Sequence, residues 1–232
     1  MKGVVCCASI LPLVYLPPSR EATPHKYRIA ETKEAPIEWD RENFGNGIMI
    51  YTDGSCYKDK VGASAVIYIN GIETPSLKFQ LRTAQEHTVF EVELTGIILG
   101  TQLASQHLST GTPINFSIDN QATILSMQKN TRQPAQYLLD EIHKGTKKLL
   151  HQIEEEQQQE IRLRPPDDGN VTPHSPISFT WIAGHRDSTG NERADTLAKD
   201  ASERGSSRTS KLPTFLRNRL PISISAIKQM IT

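Results

Sequence analysis

The first 46 residues have no sustained rhythm of apolar and polar positions. Proline punctuates them repeatedly, and at most one short helix is predicted around Ile29–Glu34, stopped by Pro36. A turn is signalled at Phe44-Gly45-Asn46-Gly47, and regular patterning starts directly after it. Ile48–Thr52, Ala63–Ile69 and Leu77–Leu81 read as three strands, with the pair Asn70-Gly71 marking a hairpin. Strands joined by such short connections pair antiparallel. The period then lengthens: Glu86–His107 carries Leu94, Ile97, Ile98 and Leu103 at helical spacing and contains no proline.

A fourth strand follows at Ile114–Ile118, ending on Asp119, and a helix is predicted over Asn120–Lys129. A longer helix over Ala135–Ile161 presents Leu138, Leu139, Ile142, Leu149, Leu150 and Ile153 as its apolar face and closes on a solvated Glu/Gln run. After a Pro/Asp/Gly-rich loop, Arg164–Pro176, come a fifth strand at Ile177–Ile182 and a last helix at Gly190–Glu203. Strands separated by helical crossovers lie parallel, so the order predicts an α/β domain: a five-stranded mixed sheet with helices on its faces. That domain occupies residues 47–204, between an irregular extension at 1–46 and a tail at 205–232, and no internal repeat is present.

Composition narrows the class of protein. The 232 residues suit one core with appendages, and 37% hydrophobic against 22% charged residues exclude a collagen, a coiled coil or a wholly disordered chain. Lysine plus arginine equal aspartate plus glutamate at 26 each, which excludes a uniformly basic nucleic-acid coat. The balance is uneven, however: from Arg204 onward there are six basic residues, Arg204, Arg208, Lys211, Arg217, Arg219 and Lys228, and no acid. Three cysteines, Cys6, Cys7 and Cys56, form neither a disulfide framework nor a zinc pattern, so a reducing compartment is the default. No apolar run reaches the 18 residues of a membrane span. The apolar start superficially imitates a secretory signal, but Pro12 interrupts it and no small-x-small cleavage site precedes Pro17-Pro18, so a docking strand or a truncation scar is the preferred reading.

Four acids stand at element boundaries of this scheme. Asp53 follows a strand directly and precedes Gly54, a placement that also suits a turn former. Asp119 closes the fourth strand and equally suits a helix cap. Glu93 shares a helix face with Gly96, Ile97 and Gly100, a small surface fit to lie close on a sheet, while Glu91, two residues away, is read as the solvent-facing member. Asp195 borders the Ala194, Leu197, Ala198 and Ala201 face of the last helix. Four acids around one sheet region repel one another unless cations neutralise them. Oxygen ligands without a Cys or His cluster point to Mg²⁺ or Mn²⁺ rather than zinc, and two such ions suit phosphodiester cleavage.

YTDGSC (51–56), FEVEL (90–94), SIDNQA (117–122) and WIAGHRDSTGNERADTLAK (181–199) occur here in the order found in type 1 ribonuclease H domains, and residues 47–204 as a whole resemble that family. The similarity is greatest to the ribonuclease H region of fungal non-LTR retrotransposon reverse transcriptase polyproteins. It implies the ribonuclease H-like fold, with strand order 3-2-1-4-5 and helices on both faces. It also implies an endoribonuclease that hydrolyses the RNA strand of RNA/DNA hybrids with two Mg²⁺ ions, Mn²⁺ substituting, and leaves a 5′-phosphate. Carried over residue by residue, the resemblance assigns the metal-holding and catalytic tetrad to Asp53, Glu93, Asp119 and Asp195, and the loop histidine to His185, which assists proton transfer or product release. Asn191 and Glu192 are read as the start of the last helix, with Asn as cap, and the family also brings Glu192 close to the metals.

Substrate contacts are implied at Gly54, Ser55, Cys56, Asn120 and Gln121, with core packing as the alternative for Cys56. The stretch 133–164, which in bacterial relatives forms a basic grip on the DNA strand, here mixes Lys144, Lys147, Lys148, Arg162 and Arg164 with glutamates. Electrostatic affinity would then come from the basic tail, unless that is a merely solvated segment, or from an attached reverse transcriptase domain. The alternative function is an inactive retroelement remnant that keeps the fold and weak nucleic-acid binding. An integrase or transposase reading is disfavoured because those enzymes generally lack the GH…GNERAD ending. The site of action is intracellular, with nucleus and cytoplasm both open.

Overall fold

Ten consecutive residues of the strand that carries Asp53 pair antiparallel with the next strand, from Ile48↔Ile69 to Tyr57↔Lys60, and this ladder is the spine of the molecule. The computed structural model describes residues 25–32, 34–108, 112–129, 131–163, 177–184 and 188–231. The strands are β1 (Lys26–Arg28), β2 (Ile48–Tyr57), β3 (Lys60–Ile69), β4 (Ile72–Glu73), β5 (Leu77–Thr83), β6 (Ile114–Ile118) and β7 (Ile177–Trp181). The helices are α1 (Glu34–Asn43), α2 (Val89–Gln106), α3 (Gln121–Gln128), α4 (Gln136–Leu163), α5 (Thr189–Arg204) and α6 (Ile224–Ile231), with two short 3₁₀ turns at Thr209–Lys211 and Thr214–Arg217.

Five of these strands make the expected core. Their spatial order is β5, β3, β2, β6, β7, antiparallel across β5/β3/β2 and parallel across β2/β6/β7, which is the implied 3-2-1-4-5. Two further strands extend it to seven. β1 pairs parallel with β7 through Lys26↔Ser178 to Arg28↔Thr180, and β4 returns on β3 through the Asn70-Gly71 turn, where φ values of 51° and 79° meet the demand of a tight hairpin.

Side-chain alternation divides β2 between two cores. Ile48 and Ile50 face the larger one with α2, α3 and α4, and Met49 and Tyr51 face a smaller one with Val66, Tyr68, Ile182 and Ala194, joined by Trp39 and Phe44. On the first face, α2 lies close because a Cβ at Gly100 would stand 2.8 Å from the Phe116 ring and 2.9 Å from Ile50. On the second face lies α5.

The N-terminal region differs from expectation. The predicted helix at Ile29–Glu34 is absent; β1 precedes it and α1 begins at Glu34 and runs through Pro36. Proline is tolerated there because it is the third residue of the helix, where no intrahelical N–H bond is required of it. Residues 1–24, with Cys6 and Cys7, and the loop predicted at 164–176 lie outside the described residues.

The tail is not a solvated segment. After Gly205, Ser206 and Ser207 accept from the backbone amides of Gln80 and Lys78 on β5, and Ser207 N–H donates to the Lys78 carbonyl. Leu212, Leu216 and Leu220 are then buried in the main core, and Phe215 faces Tyr137. Of its basic residues, Arg204 pairs with Asp200, Arg217 donates to the carbonyls of Leu212 and Ser210, and Arg219 pairs with Glu86.

Candidate active site

β2 continues four residues beyond Asp53, so Asp53 sits within a strand instead of at a turn; the turn comes at Lys58-Asp59, both at positive φ. The parallel pairing of β2 with β6 ends at Thr52↔Ile118, however, which leaves Asp53 and Asp119 side by side at the carboxyl end of the two strands. In an open sheet this is where a ligand crevice forms. Asp119 is fixed from behind by the Trp181 indole, which donates to its carbonyl at 3.0 Å, and by Ile182 N–H bonding to the Ile118 carbonyl.

Glu93 reaches the same point from the second turn of α2. Asp53 and Gly54 are on opposite faces of β2, and the face of Gly54 is the one α2 covers. A Cβ at Gly54 would lie 3.0 Å from Val92 Cγ1, 3.1 Å from Glu93 N and 3.2 Å from Glu93 Cδ, so only glycine lets the Glu93 side chain pass the strand. Donor atoms of Asp53, Glu93 and Asp119 all fall within 4.8 Å of one another.

Asp195 comes from α5 on the Asp53 side of the sheet. Ser64, which pairs with Asp53 across the β2/β3 ladder, donates from its buried hydroxyl to the Ala194 carbonyl at 2.6 Å and so fixes α5 one residue before Asp195. Asp195 is beside Asp53 and adds to the charge felt there, but its Oδ2 is held by Lys199 at 2.6 Å. Three acids thus form a tight group and the fourth adjoins it with a lysine attached. Neither Lys199 nor Ser64 is singled out by the sequence, although the i,i+4 spacing of Asp195 and Lys199 is the available signal for the first.

The electrostatics of this group are those of crowded, desolvated anions. Burial and then Asp119 push the Asp53 carboxyl up from 3.8 to about 7, against the Gly54 amide that donates to it at 2.8 Å. Glu93 rises well above the ordinary carboxylate range from the same causes, burial first and then Asp119 and Asp53. Its Oε2 is buried with no hydrogen-bond partner. The orphaned buried oxygen of Glu93 is costly, and a hard divalent cation is a species that satisfies it together with the neighbouring Asp53 and Asp119 carboxylates. An all-oxygen donor set fits Mg²⁺ or Mn²⁺ and offers nothing that would select zinc.

The remaining expected residues are distributed as follows. Gly54 and Ser55 are half-buried beside Asp53, and Cys56 is exposed, which removes the core-packing alternative for it. Asn120 is half-buried and caps α3, accepting from Thr123 N–H at 3.3 Å, and Gln121 is exposed next to it. His185 lies outside the described residues; the chain leading to it passes Asp119 at Gly184, where a Cβ would stand 3.1 Å from Asp119 Oδ2.

Two expectations are corrected. Glu91 is buried, not solvent-facing: it accepts from Thr88 in a capping box and from the Tyr137 hydroxyl at 3.1 Å. The Thr-x-x-Glu box is readable in the sequence, whereas Tyr137 reaches it from a helix 46 residues away. The cap of α5 is Ser188 and not Asn191, which is buried inside the first turn; Glu192 is exposed there and is not one of the acids grouped with Asp53.

A mixed sheet whose carboxyl edge gathers acids from two strands and a helix, with a further acid alongside on α5, presents the all-oxygen donor set that divalent cations favour. The RNase H family model matches residues 45–203, and the chain belongs to the RNase H family. Comparison with curated proteins finds no match. Among solved structures, the N-terminal RNase H domain of Rv2228c from Mycobacterium tuberculosis is similar at 17% identity over 68% of this chain and 94% of that one, with a TM-score of 0.48. RNase H1 from Halobacterium salinarum is similar at 18% identity over 67% and 97%, TM-score 0.45. LC11-RNase H1, solved in complex with an RNA/DNA hybrid, is similar at 16% identity over 68% and 97%, TM-score 0.41.

Proposed function

We propose that this ribonuclease H is a divalent-metal-dependent endonuclease that hydrolyses the RNA strand of RNA/DNA hybrids. The convergence of Asp53, Glu93 and Asp119 within 4.8 Å, with Glu93 Oε2 buried and unpartnered, carries this reading. Asp53, Glu93 and Asp119, with Asp195 alongside, would hold two Mg²⁺ ions; Mn²⁺ has the same ligand preference. Bound there, the ions supply an activated water and charge neutralisation at the departing oxygen.

The chain's own part is to hold geometry and to handle protons. The rigid β2/β6 edge fixes two acids, and α2 delivers the third past Gly54. Lys199 keeps Asp195 from adding an unbalanced charge. His185 would assist proton transfer or product release. In-line attack of water at phosphorus breaks the P–O3′ bond and leaves a 5′-phosphate and a 3′-hydroxyl.

Selection of a hybrid rests on shape. The A-like minor groove is wide and shallow and shows 2′-hydroxyls on the RNA strand only. Gly54, Ser55, Cys56, Asn120 and Gln121, all half-buried or exposed around the acids, supply backbone and side-chain polar groups for that surface. The motif set supports descent from a fungal non-LTR retrotransposon polyprotein, in which a reverse transcriptase domain would be the neighbour.

The test is cleavage of a hybrid with end-labelled RNA by the purified full chain, in Mg²⁺, in EDTA, and beside Asp53→Asn. Metal-dependent internal cuts with 5′-phosphate ends are expected. Cleavage no greater than that of Asp53→Asn would instead support the inactive remnant that binds duplex weakly.

A further inference from the structure

A buried carboxylate outside the family span is tied to the helix that carries Asp195. Asp40 lies on α1, before the matched residues 45–203, and is only 4% exposed. One of its oxygens accepts the Tyr51 hydroxyl at 2.6 Å and the other the Ser188 hydroxyl at 2.7 Å. Tyr51 is on β2, two residues before Asp53 and on the same face. Ser188 is the N-cap of α5, and its oxygen accepts from Asn191 N–H at 3.4 Å.

The chemistry requires an anion here. Two O–H donors converge on the group, and a carboxylate accepts on both oxygens, whereas an amide would turn an NH₂ toward one hydroxyl. Because Ser188 commits its proton to Asp40, its lone pairs stay directed at the first turn of α5. An amide at position 40 would donate to that same oxygen and compete with Asn191 N–H. The carboxylate also sits at the positive end of the α5 dipole. Among the described residues no lysine or arginine pairs with Asp40, so burial pushes its carboxyl up, and only these two hydroxyls and the helix end oppose that.

We infer that Asp40 is a positioning residue of the active site: through Ser188 it sets the start of α5, and so the place of Asp195, which is two helical turns further on, relative to Asp53. α5 is thereby held at two points, by Asp40 at its cap and by Ser64 at Ala194. The catalytic unit accordingly begins before residue 45. This inference rests on the proposed hydrolysis for its kinetic readout, but its structural readout is independent of it.

The experiment uses the full chain with Asp40→Asn, Ser188→Ala and the double substitution. Hybrid cleavage is measured with Asp53→Asn as blank, and amide hydrogen exchange is followed across residues 189–195. Each single variant is expected to lower kcat by about ten-fold or more, as a small misplacement of a reacting group does, with KM within about two-fold. Exchange at the first turn of α5 should quicken while β2 and β3 stay protected. The double variant should be no worse than the poorer single one, since both break one link. Wild-type kcat in the singles, additive losses in the double, or unchanged exchange at α5 overturns the inference. If the wild type itself does not cleave, the proposed function fails and the exchange data alone decide this point. Should Asp40→Asn not fold, Ser188→Ala breaks the same bond from the other side, and its rates and exchange decide between the outcomes.

Discussion

Lys199 Nζ stands 2.6 Å from Asp195 Oδ2, one helical turn along α5, and its charge is felt at Asp53 as well. The hydrogen bond to Asp195 raises the lysine pKa, so the group stays cationic throughout the working pH range. An ammonium at this point partly does the work of a metal ion, and it must give way, at least in charge balance, when divalent ions bind.

Lys199→Met is therefore expected to tighten divalent-metal binding. The lysine side chain is 57% exposed, so the effect is modest, roughly two- to five-fold in half-saturating Mn²⁺, the range of a partly exposed ion pair. Calorimetric Mn²⁺ titration at low ionic strength measures it, and the difference should shrink in high salt. An unchanged or weaker affinity contradicts this role for Lys199.

Much of this is readable from the chain. The alternation of Ile48–Thr52 and Ala63–Ile69, the helical spacing of Leu94, Ile97 and Ile98, and the position of Asp119 just past the end of its strand reflect local periodicity, which a sequence displays directly, whereas Asp53 and Glu93 lie inside β2 and α2 and not at their boundaries. What it hides depends on distant partners. β1 is a strand only because β7 offers it an edge, and three residues carry no rhythm of their own. The burial of Glu91 depends on Tyr137, and that of Asp40 on Tyr51 and Ser188. In the tail, Leu212, Leu216 and Leu220 are spaced by four, a helical signal, but Pro213 and Pro221 interrupt the segment, which forms only a 3₁₀ turn at Thr214–Arg217, and mask it.

The metal-free protein should show a pH signature of its acid cluster. Asp53 is raised to about 7 and Glu93 well upward, so between the ordinary carboxylate range and pH 7 the folded chain holds protons that the unfolded chain has released. The stability this represents is complete below pH 3.8 and is lost as pH rises through 7. His25, lowered to about 4, and His87, also lowered, act oppositely below pH 6.5, because there the unfolded chain holds the extra protons. The wild type should consequently lose stability relative to Asp53→Asn as pH goes from 5 to 8 without metal, by several degrees in Tm. Saturating Mg²⁺ should cancel the loss in the wild type and leave Asp53→Asn largely unmoved. Parallel Tm profiles for the two proteins without metal would contradict the crowding of these acids.

Gly54→Ala tests the passage of Glu93. The added methyl would meet Val92, the Glu93 amide and the Glu93 carboxyl carbon at 3.0 to 3.2 Å, and one of these is backbone that cannot swing aside. Relief is available chiefly by moving Glu93 off the cluster. Hybrid cleavage should fall by about 10²-fold, as expected for an ångström-scale misplacement, whereas the fold should lose only about 1–3 kcal/mol from overpacking. Urea denaturation alongside initial rates separates the two quantities. Near-normal activity would show that Glu93 needs no such clearance.

Leu216→Ala tests whether the tail belongs to the core. Leu216 is 2% exposed and shares the main cluster with Leu212 and Leu220, while Ser206 and Ser207 bond to β5 and Ser223 N–H donates to the Glu86 carbonyl near the start of α2. Removing three methyl-sized groups from such a site costs about 2–5 kcal/mol when the surroundings cannot collapse, and less when the covering segment lifts away. Urea unfolding of Leu216→Ala is expected to show a single transition displaced by at least about 2 kcal/mol. Because the tail covers α2 and α4 rather than the acids, Mn²⁺ affinity of the folded variant should stay at the wild-type value. A midpoint unchanged from wild type would mean that residues 205–231 contribute nothing to the stability of the domain they lie against.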